Sequence, residues 1–521
     1  MSFETAIKVP AARGERSGER LWIVVAPLML LAATLRFWEI GSRALWLDEA
    51  YSGWFSALSW SELWFETPKY ETHPPVYYSL LKLWQLFAGT DAGALRGLSA
   101  LAGIAAVPVL GLAAVELARL TRAPRPLLLV AIACAFAAVS PRLIVIAQEA
   151  RPYPLLLLAY GSALLFWLRL TASFRRHGPP AGSWGNWVGI GLSTLAVLWL
   201  HAIGILYGAA LFGALLLTGW EGADRRRWTR LAVTATLTGL AWLPCLALIL
   251  GRTGDWGSGW LTWDPARFPG AMLDLYGLHH LDEPVSPVAA RIVMALLMAL
   301  ALRTLWRSGD RPLAGALGLL LLFPPLAAAL MSQLGFPLFL PRTLVAVLAP
   351  AYLIAAWAIA SLPRERVIIA AGAVGLIFAA NLAQTLVRPS LEAWDEAAAI
   401  LHREMKPGDV IWTYPNDVAL PLGAALGRDR PMTSIPAPFP ALSAPGYRRS
   451  GSPAVVTVDA RMAADWARRQ APPPGATIWL VWVHTNLSDP EGDVEESLST
   501  GRAAGPVRRW RDLRLVPLRP R

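Results

Sequence analysis

The chain is 521 residues long, 55% hydrophobic and only 16% charged, against about 25% charged in ordinary soluble domains. That balance excludes an intrinsically disordered chain, which needs low hydrophobicity and high charge. Two cysteines are too few for a disulfide scaffold. The formal charge of +11 raises two classes of partner, nucleic acid and a membrane, and its placement decides between them.

Residues 1–20 are polar and basic, with Lys8, Arg13, Arg16 and Arg20. Leu21 to Leu35 is an apolar run long enough to span a bilayer if Arg36 and Trp38 snorkel at its end. Further apolar runs lie at 92–118, 126–142, 152–168, 185–200, 202–220, 231–250, 287–302, 312–331, 343–362 and 367–387, which with the first makes about eleven predicted spans. Cys134 and Cys245 sit inside two of them and read as buried thiols. Basic clusters at the N-terminus, Arg119/Arg122/Arg125, Arg169/Arg175/Arg176, Arg225/Arg226/Arg227/Arg230, Arg303/Arg307/Arg311 and Arg364/Arg366 fall on every second loop, which places them on the cytoplasmic side. Segment 39–75 carries six carboxylates against Arg43 and Lys69, and belongs on the opposite face. The positive charge is therefore a topology signal, and no nucleic acid is needed to explain it. Val76 to Ala88 is short and interrupted by Lys82; counting it as a span would reverse everything downstream, so it reads as a helix at the outer interface within a first loop of 39–91. After residue 387 the chain turns rich in Pro, Gly and charge. An amphipathic helix at 391–404, strands at 409–413, 478–483 and 514–518, and a Pro/Ser-rich loop at 434–453 predict a small α/β domain over 388–521.

Ionisable groups at membrane depth are costly, so their positions carry information. Asp48 and Glu49 are adjacent carboxylates among aromatic and aliphatic residues, where burial and mutual repulsion are expected to raise a pKa and make a better general base. His73-Pro74-Pro75 enters the interfacial helix with the His73 backbone fixed by the prolines, and Lys82 follows as a further cation for substrate. Gln148-Glu149-Ala150-Arg151-Pro152-Tyr153 faces the same side as Asp48. Arg342, at the start of a span, is placed to fork onto a phosphate. His201 sits in a tight turn on the same side. His279, His280, Asp282 and Glu283 match no metal-ligand spacing, and no divalent metal is expected.

Three stretches, Leu45-Trp46-Leu47-Asp48-Glu49-Ala50-Tyr51, His73-Pro74-Pro75-Val76-Tyr77-Tyr78 and Ser140-Pro141 through Tyr153, together with Arg342, resemble the bacterial GT-C glycosyltransferases, including glycosyltransferase family 39 (the protein O-mannosyltransferases) and the lipid A aminoarabinose transferases. The resemblance covers about 390 residues, strongest over 36–160. It implies a polytopic α-helical GT-C module over 1–387 in a bacterial inner membrane, with the site and the α/β domain facing the periplasm. It implies an inverting sugar transfer from a polyprenyl-phosphate donor to a hydroxyl of a periplasmic glycolipid, polysaccharide or protein. Asp48 would be the general base, Glu49 would orient the first loop, and Glu149 would hold acceptor or donor. His73, Lys82, Arg151, Tyr153, His201 and Arg342 would bind substrate, with Arg342 on the departing phosphate and no nucleotide sugar or catalytic metal required. His73 stands where the aminoarabinose transferases carry a lysine, which disfavours an aminoarabinose donor. The alternative is a polytopic lipid or sugar transporter or flippase, which commonly shows internal repeats and charges reachable from both faces. A third reading, a scaffold using the outer domain for binding, leaves the acidic pair unexplained.

Overall fold

The computed structural model describes residues 12–71, 73–175, 184–220, 223–251, 263–276, 287–307, 309–427, 430–442, 444, 448–449, 455–470, 472–484, 488–511 and 513–521. Every apolar run read above is helical. In chain order the helices are α1 (Ala12–Phe37), α2 (Leu47–Ala57), α3 (Val76–Ala88), α4 (Ala92–Thr121), α5 (Pro126–Val139), α6 (Pro141–Ala147), α7 (Tyr153–Phe174), α8 (Trp184–Leu200), α9 (Gly204–Gly219), α10 (Arg225–Leu250), α11 (Phe268–Tyr276), α12 (Pro287–Arg307), α13 (Arg311–Gln333), α14 (Leu348–Ser361) and α15 (Arg364–Leu386). Among the described residues, five helices are long and apolar enough to cross a membrane, or six if the bent pair α5–α6 is one span. Leu21–Phe37, Trp184–Leu200, Gly204–Gly219 and Val345–Ser361 are shorter apolar helices. The short helices α2 and α3 fall in the acidic first loop, and α11 lies between the apolar helices α10 and α12.

The 50° bend between α5 and α6 has a local cause. Pro141 offers no N–H to continue the ladder and disfavours helical backbone at Ser140. Ser140 instead caps the second segment, its Oγ accepting from Leu143 N at 3.4 Å. The bend turns the chain so that Gln148 to Arg151 lies under α2.

Arg36 departs from the snorkelling expected of it. It is fully buried, and its guanidinium donates to Ala138 O at 3.0 Å, Ala137 O at 2.7 Å and Ala32 O at 3.3 Å. A cation on the carbonyl end of α5 satisfies acceptors that the bend leaves without ladder partners. Gly103 of α4 makes the room: a Cβ there would sit 2.8 Å from Arg36 Nε and 3.0 Å from Ala147 Cβ. Gly103→Ala is expected to cost about 1–3 kcal/mol by overpacking, read as a lower thermal midpoint of the purified protein. An unchanged midpoint contradicts the close approach.

The C-terminal unit adds α16 (Trp394–Glu404), α17 (Ala419–Leu426), α18 (Ala460–Gln470), α19 (Asp493–Ser499), and strands β1 (Val410–Tyr414), β2 (Met432–Ser434), β3 (Arg448–Arg449), β4 (Val456–Thr457), β5 (Ile478–Val483), β6 (Arg502–Ala504), β7 (Arg508–Trp510) and β8 (Leu513–Pro520). One sheet runs β2-β1-β5-β8-β6, with β7 also paired to β8, and β3 pairs with β4 apart from it. β1 is parallel to β2 and β5, while β8 returns antiparallel to β5. β5 is buried along its whole length, as expected of a central strand covered on both faces. Trp394, Leu401, Ile411 and Trp479 form the core on one face, and Trp412, Trp466, Leu480 and Trp482 on the other. The first of these cores is joined by Ala44 of the first loop, which seats the unit against the helical body.

Candidate active site

Helix α2 starts at Leu47, so Asp48 and Glu49 fall in its first turn and diverge. Glu49 turns inward and is fully buried. It takes a fork from Arg96 of α4 (Nε 2.7 Å, NH2 2.6 Å), the Ala150 N–H at 2.8 Å and, in the manner of a capping box, the Trp46 N–H at 3.3 Å. Arg96 spends its remaining donors on the carbonyls of Ile40, Arg43 and Ala44. Glu49 thus fastens the first loop to α4 and to the residue after Glu149. Its lone pairs are consumed by these bonds, and a buried pair of this kind holds geometry in place.

Asp48 turns the other way, one-fifth exposed, with Oδ2 at 3.1 Å from Arg342 NH2 and 3.6 Å from Arg151 NH2. Burial pushes its carboxyl up, but the two guanidiniums outweigh that and hold it below the usual carboxylate range. This reverses the raised pKa expected from the adjacent carboxylate: Glu49 points away and pairs with Arg96, and the guanidiniums of Arg342 and Arg151 decide the sign. Arg342 lies over the Trp46 ring at 5.3 Å, and its Nε has no hydrogen-bond partner among the described residues.

Arg151 links Asp48 to the histidines. Its NH1 donates to Asp48 O at 3.1 Å and its NH2 stands 3.3 Å from His73 Nε2. His73 Nδ1 is 2.6 Å from Glu71 Oε1, so the network assigns the proton to Nδ1 and an acceptor to Nε2. Burial and Arg151 hold the His73 pKa down, consistent with the neutral ring. His201 packs edge-on against His73 at 4.7 Å and lies 6.1 Å from the buried Tyr153 ring. Its Nδ1 accepts from Ile203 N at 3.2 Å, which leaves Nε2 the protonated donor, buried and without a partner among the described residues. Burial and three neighbouring cationic or imidazole groups push its pKa well down.

Glu149 follows the α6 bend and is partly exposed, and among the described residues its carboxylate has no hydrogen bond and no ion pair within 4.0 Å. Burial and Glu49 push it up to about 7, against the pull of Arg342, Arg388 and Arg151. The folded state therefore holds this proton more tightly than the unfolded state does. Its contribution to stability is complete below the ordinary value of 4.5 and is lost as pH rises through about 7. Glu149→Gln is expected to raise the thermal midpoint at about pH 8 and leave it nearly unchanged at about pH 5. Equal shifts at both values contradict the assignment. Lys82 does not reach the cluster: its Nζ donates to Leu58 O at 2.6 Å and Ser56 O at 3.3 Å, closing the C-terminus of α2. Among the described residues no group of three or more His, Cys, Asp or Glu could hold a metal ion. His279, His280, Asp282 and Glu283 lie outside the described residues.

No protein-family model matches the sequence, and no curated relative matches it. Solved structures do match. ArnT from Cupriavidus metallidurans in the apo state is similar over 98% of both chains at 14% identity, with a TM-score of 0.59. The same protein bound to undecaprenyl phosphate gives 0.56 at 15% identity, over 95% of this chain and 97% of that one. The oligosaccharyltransferase AglB from Archaeoglobus fulgidus, in complex with an inhibitory peptide and a dolichol-phosphate, gives 0.55 at 12% identity, over 94% of this chain and 73% of that one. The fold is that of the GT-C membrane glycosyltransferases.

Within the GT-C frame the C-terminal unit brings residues that the sequence reading did not single out. Glu392 Oε2 accepts from Leu47 N at 2.9 Å and from Trp394 Nε1 at 2.5 Å. Trp46 has no side chain that can cap α2, so the helix carrying Asp48 takes its first cap from a residue 345 positions away. Burial pushes Glu392 up to about 7. The Tyr51 hydroxyl donates to Asp417 Oδ2 at 2.5 Å, and Phe439 stands 5.1 Å from the Tyr51 ring and 5.0 Å from Trp54. No local pattern marks these residues, because their partners are on the first loop. The one available signal was a carboxylate set among apolar residues directly after the last apolar helix.

Proposed function

We propose that the chain is an inverting glycosyltransferase that moves a sugar from a polyprenyl-phosphate donor to a hydroxyl of a glycolipid, polysaccharide or protein. The observation that carries this reading is the 3.1 Å approach of Asp48 to Arg342 on a GT-C fold. It sets a proton acceptor beside a cation that can take a phosphate, which is the pair an inverting displacement requires. Asp48 removes the acceptor proton, the acceptor oxygen forms a bond to the anomeric carbon, and the bond from that carbon to the phosphate oxygen breaks with its electrons going to the phosphate. Arg342 receives that developing charge. Once a phosphate shares Arg342, less of its positive field acts on Asp48, whose carboxylate becomes more basic at the moment it is needed. The structures of ArnT with undecaprenyl phosphate and AglB with a dolichol-phosphate support a lipid phosphate as the donor's carrier.

On this reading the apolar runs, with Arg clusters on alternate connections, make about eleven crossings of a bacterial inner membrane. The cluster around Asp48 and the α/β unit then lie on the periplasmic face. The test is mass spectrometry of membrane lipids and glycans from cells with and without active protein. The expected result is accumulation of a polyprenyl-phosphate sugar and loss of one glycan substituent in cells without it. Identical lipid and glycan profiles overturn the reading.

A further inference from the structure

The helix that carries Asp48 begins without a capping side chain of its own. Trp46 stands at the N-cap and offers no oxygen. Glu49 takes the Trp46 N–H at 3.3 Å, but its oxygens are already committed to Arg96 and the Ala150 N–H. The Leu47 N–H, on the residue directly before Asp48, goes to Glu392 Oε2 at 2.9 Å. Glu392 lies on the connection between α15 and α16, where the chain leaves the helical body. Its side chain is only 12% exposed; Oε2 also accepts from Nε1 of the fully buried Trp394, and Oε1 faces His484 Nε2 at 4.0 Å. Glu392 is thus seated in the C-terminal unit and reaches out to the first turn of α2.

The same unit holds α2 again one turn later. The Tyr51 hydroxyl donates to Asp417 Oδ2 at 2.5 Å, and Phe439 stands against the Tyr51 and Trp54 rings. Tyr51 follows Asp48 by three residues, so the two share one side of the helix.

The Asp48 carboxylate itself is held by Arg342 at 3.1 Å and Arg151 at 3.6 Å. A donor phosphate on Arg342 draws that partner away when the carboxylate must meet the acceptor hydroxyl. The backbone of the first turn then defines where Asp48 stands, through Arg151 NH1 on its carbonyl at 3.1 Å and through the bond at Leu47. Misplacing a reacting group by about 1 Å costs about 10²-fold in rate. A bond that merely joined the two units could fall anywhere along the first loop, and this one falls on the residue next to the base.

We infer that Glu392 is a positioning residue for sugar transfer: by capping α2 at Leu47 it fixes the Asp48 carboxylate for proton removal, which makes the C-terminal unit part of the active site. The effect on rate rests on the transferase reading; the cap does not.

The test measures transfer, donor binding and amide hydrogen exchange on the purified full-length protein. Glu392→Ala is expected to lower kcat about 10–10²-fold, with donor binding near native. Exchange across residues 45–51 is expected to speed up while exchange across β5 stays unchanged. Glu392→Gln keeps an oxygen for the Leu47 N–H and is expected to recover most of both losses. Leu47→Pro removes the donor and keeps the helix, because proline suits the first helical position and Trp46 before it is already extended at ψ 170°. Compared with Leu47→Ala, which keeps the N–H, it is expected to lower kcat in the same way, and adding Glu392→Ala to it is expected to lower kcat little further. Leu47→Pro changes no residue of the C-terminal unit, so equal kcat in Leu47→Pro and Leu47→Ala overturns the inference even if Glu392→Ala loosens β5. Native exchange across 45–51 in Glu392→Ala overturns the cap whatever kcat does. An equal loss in Glu392→Ala and Glu392→Gln, a parallel loss of donor binding, or an undiminished effect of Glu392→Ala in the Leu47→Pro background makes Glu392 a brace between units and overturns the positioning role. A native chain that transfers no sugar refutes the transferase reading, and exchange across 45–51 then still decides the cap.

Discussion

Asp48→Asn is expected to lower the rate of sugar transfer by about 10²–10⁴-fold, the span for loss of a general base. The substitution is isosteric and Asn keeps an oxygen toward Arg342, so the first loop, held by Glu49 and Arg96 rather than by Asp48, stays in place. Arg342 and Arg151 lose a competing anion, so a donor phosphate binds as tightly or more tightly than in the native chain. The signature is therefore a split: kcat falls while donor affinity is unchanged or improved. Steady-state transfer and donor binding, measured on the same preparation, check both halves. Normal kcat in the folded variant removes Asp48 from the base role. A parallel loss of kcat and donor binding makes Asp48 a structural anchor of the arginine pair.

The helical body was legible because lipid-facing helices need continuous apolar runs, and each run read from the sequence is a helix. The first loop was legible for a similar reason: α3 is too short and too interrupted to span, and it is a separate short helix. β5 stood out as an apolar run and is found at Ile478–Val483, while β2, β6 and β7 are three residues each and carry no period. Convergence of His73, Arg151, Asp48 and Arg342 followed from their alternation along the chain, which put all four at one end of the bundle. What the sequence withheld was partnership. Whether Asp48 or Glu49 would be the buried member of the acidic pair depends on Arg96, a residue inside an apolar run with no motif around it. The sign of the Asp48 shift depends on two arginines 103 and 294 positions away, and adjacency in sequence pointed the other way. Glu392 and Asp417 act on α2 across more than 340 residues.

Arg342→Gln is expected to lower kcat by about 10²–10³-fold, the cost of removing one donor aimed at charge that develops in the transition state. Arg342→Lys is expected to recover only part of it, since an ammonium is a point charge that neither forks onto a phosphate nor lies flat on the Trp46 ring. The same variant has a second consequence that a merely structural role would not produce. Arg342 is the largest of the interactions holding the Asp48 carboxyl down against burial. Without it, burial is opposed mainly by Arg151, and the Asp48 pKa rises. The ionised base then exists only at higher pH, so the acid limb of the kcat/KM profile moves upward in Arg342→Gln and stays near its native position in Arg342→Lys, which keeps the charge. Measuring kcat/KM against pH for the native chain and both variants separates the two contributions. A uniform drop across all pH values leaves Arg342 on the phosphate alone, and an unchanged kcat in Arg342→Gln removes it from the reaction.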